Sequence, residues 1–260
     1  YQNIPNRKLG GVANAKLTPE QKMEKLVSQT LLGCGLSEIA TFSFISPKHY
    51  DKIRLSKDDP RRSGVVISNP LGEDTSVMRT TVIPSMLDVL SRNYNNRNAA
   101  ASLFEISNEY IYNGTEKLPD ENVKVTLGMY GDTVDFFSLK AVIEELLYVT
   151  GVSGYDVVPV TDDPTFHPGR TAALKIGDVQ IGYLGEIHPA VLSNYGIGAK
   201  AYIGQLDFAS LIKFGNLKRV YKPLPRFPAS SRDLAFVCDI DLPVMTLEKA
   251  ISGAVGKILE

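Results

Sequence analysis

The stretch 69–109 constrains the fold most strongly, because it joins a turn, an amphipathic helix and an apolar strand that carries a charge. Asn69-Pro70 favours a turn, and Pro84 fits the first turn of a helix. A helix is therefore predicted to run to about Asn95. Its apolar residues recur at spacings of three and four and form one stripe: Ile83, Met86, Leu87, Leu90 and Tyr94. Such a stripe must pack against a sheet or another helix.

Two charged residues flank or interrupt these elements. The segment AASLFEI predicts a buried strand, and Glu105 within it needs a partner because an isolated buried carboxylate is costly. A structural carboxylate bonded to the backbone or to an arginine is the favoured interpretation. Arg79 stands just before the helix. It can pair with Glu105 or with a carboxylate of a neighbouring subunit, or it can be a solvated surface residue.

The other segments predict an α+β fold with a mixed, mostly antiparallel sheet flanked by helices. Thr18 to Gln21 form a capping box that starts a helix, and Asp135 is a second predicted N-cap, with Phe137 among the residues facing inward. In GLSEIATFSFISP, alternation predicts a half-buried strand with Phe42 and Phe44 on the same side. Gly177-Asp178 predicts a two-residue hairpin.

The pattern divides the chain into four parts. Residues 1–17 are an entering linker, 18–212 a core domain, 213–229 a basic, proline-rich linker, and 230–260 the start of a second domain. In the last part, a strand is predicted over 233–240 and a helix over 246–259. One strand and one helix cannot enclose a core, so this part is expected to be loosely ordered or to lean on the core domain.

The net charge of −1 argues against nucleic-acid binding by bulk electrostatics, so any RNA contact must be local. The basic linker and its border with the last domain supply the candidate RNA contacts: Lys218, Arg219, Lys222, Arg226 and Arg232. A solvated hinge is the alternative. Phosphate contacts from these residues would add affinity without sequence selectivity.

Little in the sequence indicates an independent enzyme. No phosphate-binding P-loop and no Gly-x-Ser-x-Gly motif occur, and the three histidines are too scattered to predict a metal site. Arg170, in FHPGR, is predicted to follow a turn and to precede a strand. It is a candidate for hydrogen bonding at a domain or subunit contact, with ligand binding as the alternative.

The sequence has no apolar leader and no run long enough to span a membrane, so a cytoplasmic protein is predicted, cut from a longer chain because it begins with Tyr. Cys34 and Cys238 are too few and too far apart for a disulfide framework. Two buried free thiols are expected.

Several segments, in order along nearly the whole chain, resemble the β subunit of bacterial phenylalanyl-tRNA synthetase. They are YQNIP, GLSEIATFSFISP, NPL, SVMRTTVIPSMLDVL, LFEIS, DFFSLKAVIEELL, FHPGRTAALKIG, IGYLGEIHP and RFPASSRDLAFV. The resemblance implies the subunit's module shaped like a class II synthetase catalytic domain but inactive, followed by a partial ferredoxin-like anticodon-binding domain. It also implies that the first helix and strand build a subunit interface.

The resemblance further implies that this segment has no catalytic residues and binds no cofactor. Class II enzymes place an arginine two residues before the glutamate of their second motif, to grip the α-phosphate of ATP, and here that position is Leu103. No glycine-rich segment ending in arginine resembles the third motif. The family's magnesium ligands and editing pocket belong to regions upstream of this chain.

The implied role is to support a catalytic α subunit, in an assembly of two α and two β subunits, and to help orient tRNA(Phe) during aminoacylation that uses ATP and Mg²⁺. Two alternatives remain at this point. One is an independent enzyme on the same fold, and the other is a free-standing protein-interaction scaffold.

Overall fold

The computed structural model describes residues 2–6, 10–11, 15–114, 118–218, 220–221, 223, 226, 228, 230–240 and 242–256. The helices in these ranges are α1 (Pro19–Gly33), α2 (Lys48–Lys52), α3 (Ile83–Asn95), α4 (Phe136–Thr150), α5 (Pro189–Asn194), α6 (Phe208–Phe214) and α7 (Val244–Val255). The strands are β1 (Ser37–Glu38), β2 (Phe44–Ile45), β3 (Val77–Met78), β4 (Ala101–Ile111), β5 (Asp120–Tyr130), β6 (Asp156–Pro159), β7 (Phe166–Ile176), β8 (Val179–Ile187) and β9 (Ala201–Asp207). Two short 3₁₀ turns cover Pro60–Arg62 and Glu73–Thr75.

Seven of the strands form one sheet, in the order β1-β4-β5-β9-β8-β7-β6. β1 and β4 are parallel, and every other neighbouring pair in this sheet is antiparallel. β2 and β3 pair separately as a small antiparallel sheet. The prediction of a mostly antiparallel sheet flanked by helices is confirmed.

Apolar residues cover both faces of the sheet, which makes two cores. On one face, side chains of α1, α4 and α6 pack against alternate strand residues such as Phe104, Leu127 and Leu206. On the other face, α3 and α5 pack against the intervening residues, including Leu103 and Ile203. Alternation along the strands therefore directs successive apolar side chains to opposite cores.

Local signals in the sequence set several element boundaries as predicted. Thr18 and Gln21 form the capping box of α1, and Asp135 caps α4 by accepting from the Ser138 backbone N–H. Gly151 ends α4 with a φ of 73° in the left-handed region. Gly177 and Asp178 join β7 to β8.

Other local predictions are wrong. The segment 39–43 is not a strand, and only its flanks Ser37–Glu38 and Phe44–Ile45 pair with neighbours. Phe42 and Phe137, both expected to face inward, are 74% and 71% exposed. Val66 forms one isolated antiparallel bridge with Val77.

The described residues after position 214 form one helix, α7, and otherwise coil. The strand predicted over 233–240 is not formed, since a strand needs a hydrogen-bonded neighbour and this segment has none among the described residues. α7 begins two residues before the predicted helix, and its predicted end lies outside the described residues. Lys249 on α7 forms an ion pair with Asp156 on β6, at 2.5 Å. The four-part division of the chain stays a prediction.

Both cysteines are exposed, so the expectation of buried thiols is wrong. Within the described ranges, every helix is too short or too polar to span a bilayer.

Candidate functional site

A row of polar residues crosses the sheet on the face that α3 covers. The row runs through directly paired positions on β4, β5, β9 and β8: Glu105, Thr126, Gln205 and Tyr183. The first three side chains are at least 95% buried. Buried polar groups need hydrogen-bond partners within the protein when water does not reach them. Glu105 therefore needs hydrogen-bond donors on this buried face.

Arg79 and Glu105 meet in this buried face, and Thr41 joins them. The exposed fractions of Arg79 and Glu105 are 1% and 2%. Arg79 Nη1 donates to Thr41 Oγ1 at 2.7 Å, and the Thr41 hydroxyl and backbone N–H both donate to the Glu105 carboxylate, at 2.9 and 3.0 Å. The direct distance from Arg79 Nη2 to Glu105 Oε1 is longer, at 3.5 Å. We call these three residues the Thr41 clamp.

Arg79 makes further contacts that fix its position. Its Nε donates to the Asn108 carbonyl at 3.0 Å, and its own backbone N–H and C=O bond to Ser43 and Tyr110. The interpretation of Arg79 as a solvated surface residue is therefore wrong. Its guanidinium is directed at Glu105 within the same chain. Glu105 is bonded to a backbone N–H and lies beside an arginine, as its structural interpretation predicts.

Glu109 lies on the same face of β4, four residues after Glu105, and is 7% exposed. One carboxylate oxygen accepts from the backbone N–H of Val82, at the start of α3, and from Gln205 Nε2, at 3.1 and 3.0 Å. Gln205 also donates to Thr126 and accepts from the Tyr183 hydroxyl. Glu109 thus links the polar row to the start of α3. Burial raises the pKa of the Glu109 carboxyl above its ordinary value.

We expect Glu109→Gln to change how stability depends on pH. Because the folded pKa is raised, the neutral carboxyl favours folding. In the wild type that contribution is complete below pH 4.5 and is lost as pH rises through the folded pKa. Urea unfolding should therefore show the wild type losing stability relative to the variant over this window, by up to about 1.4 kcal/mol per pH unit. The exposed Glu145→Gln is the control, and a constant difference between wild type and Glu109→Gln would contradict the prediction.

The residue next to the clamp, Phe42, points to solvent. Its ring stacks on Phe44 with centroids 5.2 Å apart. Both rings border a cleft of about 520 Å³ that also receives Asp74, Asp88 and Arg92. The surface formed by Phe42, Phe44 and this cleft, called the Phe42 face below, combines exposed aromatic area with carboxylates. Exposed aromatic residues beside charged groups are typical of protein interaction surfaces.

His49 lies at the inner edge of the Phe42 face. Its Nε2 is 3.4 Å from Asp88 Oδ2 and its Nδ1 is 3.1 Å from the Tyr195 hydroxyl. Burial lowers the pKa of the His49 imidazole below its ordinary value. In the described part of the chain, no three His, Cys, Asp or Glu side chains are grouped to hold a metal ion.

Arg170 lies far from the polar row, within β7 rather than before it. Its Nη1 contacts both carboxylate oxygens of Glu186 on β8, at 2.9 and 2.8 Å. Glu186 is buried, and the Arg170 side chain is about half exposed, at the rim of a cleft of about 540 Å³ that Phe137 also lines. The structure thus joins FHPGR to GYLGEIHP through a cross-strand ion pair. It does not bring Arg170 near Arg79 or Glu105.

The candidate RNA contacts are exposed where the structure describes them. Lys218, Arg226 and Arg232 are solvent-accessible, and Arg232 donates to Ser230 Oγ and the Ser231 carbonyl. Arg219 and Lys222 lie outside the described residues. These side chains stay predicted contacts.

Comparison with known families settles the relationship that these elements indicate. The family model of the phenylalanyl tRNA synthetase beta chain CLM domain matches residues 4–208, which include every element from α1 to β9. The chain belongs to this family. The phenylalanine–tRNA ligase beta subunit of Clostridium tetani is 44% identical over 262 residues, which cover all of this chain and 33% of that protein. The beta subunit of Clostridium acetobutylicum is 43% identical over 92% of this chain and 30% of its own length.

The beta subunit of Geobacter metallireducens is 37% identical over 97% of this chain and 33% of its own length. This CLM-domain chain therefore spans about one third of the curated relatives it matches. Among solved structures, the pyrrolysyl-tRNA synthetase of Desulfitobacterium hafniense superposes with a TM-score of 0.62 at 15% identity, over 74% of this chain and 68% of that one. That enzyme is a class II synthetase, so the predicted class II synthetase-like fold is confirmed.

Sequence reasoning missed Thr41, Glu109 and Gln205 in this CLM domain. Glu109 lies four residues after Glu105, and residues an even number apart on a strand share a face, so strand alternation alone was enough to find it. Thr41 gave no such signal, because its partner Glu105 is 64 residues away and the strand expected around it does not form.

Proposed function

We propose that this CLM-domain chain is the noncatalytic core module of a phenylalanine–tRNA ligase β subunit, and that it supports a catalytic α subunit during ATP-dependent charging of tRNA(Phe). The relatives' name, beta subunit, implies a partner subunit. The proposed assembly contains two α and two β subunits and acts in the cytoplasm. ATP and Mg²⁺ serve the assembled enzyme and are not bound by this segment.

The observation that carries the noncatalytic assignment is the burial of the polar row and the clamp. Phosphoryl and adenylyl transfer need accessible cationic groups to stabilise charge on the phosphate oxygens. On the face of the sheet that bears the polar row, Arg79 is 1% exposed and is bonded to Thr41 and Asn108 within the chain. Leu103, where the resemblance implies a phosphate-binding arginine, is buried in the apolar core.

We propose the Phe42 face, together with α1 and β1, as the contact for the α subunit. The resemblance to the first motif of class II synthetases supports this choice, since that motif builds a subunit interface. The face offers stacked aromatic rings, and the carboxylates of Asp74 and Asp88 lie beside them. At Asp74 and Asp88 the face therefore complements a lysine or arginine of the partner, and at Phe42 it complements an apolar side chain.

The other proposed contacts have less structural support. We propose Lys218, Arg226 and Arg232, which are exposed, as contacts to tRNA phosphates in the assembled enzyme. Arg170 is proposed as a structural residue, because its ion pair with Glu186 holds β7 against β8.

The experiment is phenylalanine-dependent exchange between ATP and pyrophosphate, measured on a β subunit that contains this chain. The β subunit is assayed alone and after mixing with its cognate α subunit. We expect background exchange alone and full exchange on mixing, because Arg79 is buried and position 103 is a leucine. The α subunit assayed alone is the control, because it shows whether the gain in exchange requires assembly with the β subunit.

Each other outcome contradicts part of the proposal. Exchange by the β subunit alone would mean that this fold still activates phenylalanine. A stable β subunit that neither binds nor activates the α subunit would favour a free-standing scaffold.

A further inference from the structure

We infer that the Thr41 clamp is a positioning device that holds Phe42 in place for binding the partner subunit. This inference rests on the proposed function, because it assumes that the Phe42 face contacts the α subunit. It assigns Arg79, Thr41 and Glu105 an indirect role: they act through the backbone on either side of Phe42.

The segment that carries Phe42 is held by the clamp instead of by strand pairing. Residues 39–43 are not in a strand. At one end of this segment the Ile39 backbone N–H donates to the Phe104 carbonyl, and at the other end the Ser43 carbonyl accepts from the Arg79 backbone N–H, both at 2.9 Å. Between these two anchors the Thr41 N–H donates to the Glu105 carboxylate. A buried side chain therefore replaces the missing backbone partner in the middle of the segment.

The clamp also reaches the backbone of Phe42 itself. Arg79 Nη1 is 3.4 Å from the Phe42 carbonyl oxygen while it donates to Thr41 Oγ1 at 2.7 Å. The peptide unit before Thr41 and the peptide unit after Phe42 are thus held by Glu105 and Arg79, whose side chains are almost fully buried. Buried, hydrogen-bonded charges hold their geometry more firmly than exposed ones.

The Phe42 ring cannot position itself by burial. It is 74% exposed, and its ring contact is with Phe44, which is only half-buried. On binding, an unheld aromatic side chain and its loop would lose conformational entropy and weaken the complex. A clamp that fixes the loop in advance removes that cost from association.

The test is a double-mutant cycle on the β subunit, with affinity for the α subunit as the readout. Thr41→Val removes the hydroxyl at nearly constant shape, and Thr41→Ser keeps it as the matched control. We expect about a tenfold weaker Kd for Thr41→Val, a near wild-type Kd for Thr41→Ser, and about a 30-fold weaker Kd for Phe42→Ala. The Thr41→Val, Phe42→Ala double variant should bind no more weakly than Phe42→Ala alone, because the clamp acts through Phe42.

A second measurement separates positioning from general stability. In Thr41→Val, amide hydrogen exchange of the β subunit should accelerate in residues 39–43 and stay unchanged in α4. If Thr41→Val does not fold, Glu105→Gln enters the same cycle, since it keeps one acceptor for the Thr41 N–H.

The outcomes distinguish this inference from the proposed function. Additive effects of the Thr41 and Phe42 changes, or exchange that accelerates throughout the protein, would overturn the positioning role and leave the Phe42 face as the contact. Unchanged affinity for Phe42→Ala would overturn the contact itself.

Discussion

Replacing Arg79 by methionine is expected to lower the free energy of unfolding by about 3–5 kcal/mol, because removing one partner of a buried ion pair leaves the other charge uncompensated. Glu105 is 2% exposed and would keep only the bonds from Thr41. The Asn108 carbonyl would lose its donor as well. Urea unfolding of the two proteins at pH 7 measures this loss.

The matched control is Arg92→Met on α3, since Arg92 is exposed and its removal should change stability by no more than about 0.5 kcal/mol. Adding Glu105→Gln to Arg79→Met should recover part of the loss, because the buried charge is then gone. A loss below about 1 kcal/mol for Arg79→Met, or no recovery in the double variant, would show that Glu105 does not depend on Arg79.

Replacing Gly151 by alanine is expected to cost about 2–5 kcal/mol, from backbone strain and a collision together. Gly151 has a φ of 73°, which L residues with a Cβ rarely adopt. A Cβ there would lie 2.1 Å from the carbonyl oxygen of Asn216, whose backbone N–H bonds to the Thr150 carbonyl. Asn216 must therefore move away from the end of α4. Thermal and urea unfolding measure the cost.

Gly154→Ala is the matched control for this prediction. Gly154 has a φ of 71°, and a Cβ there would meet nothing within 4 Å, so alanine costs only the backbone strain, about 1–2 kcal/mol. The difference between the two variants isolates the contact with Asn216. Equal losses of stability in the two variants would mean that residues 215–216 move away from α4 at no energetic cost.

Features that depend on neighbouring residues were predictable from the sequence. Thr18 with Gln21, Asp135, and Gly177-Asp178 each act within a few residues, so capping and turn chemistry fixed the ends of α1, α4 and the hairpin. The stripe that predicted α3 is likewise periodic within one segment. The family was readable too, because its motifs lie in order along the chain.

Features that depend on long-range pairing were not predictable. Alternation assigned Phe42 to a buried strand face. A strand forms only where a neighbouring strand accepts its backbone hydrogen bonds, and in residues 39–43 the Thr41 backbone N–H donates to the Glu105 side chain instead. The strand expected over 233–240 failed for the same reason, since no described neighbour pairs with it.

The sequence by itself therefore determined helices α1, α3 and α4, the turn at Gly177-Asp178, the need for a partner to Glu105 and the family to which the chain belongs. Only the tertiary structure decided that Thr41 joins Arg79 to that carboxylate and that Phe42 faces solvent. The physical reason is sequence separation: Thr41 and Glu105 are 64 residues apart, and the packing of α3 on the sheet brings Arg79 to them. Patterns within a segment show which groups must be buried, but only the tertiary fold determines which residues those groups bond to.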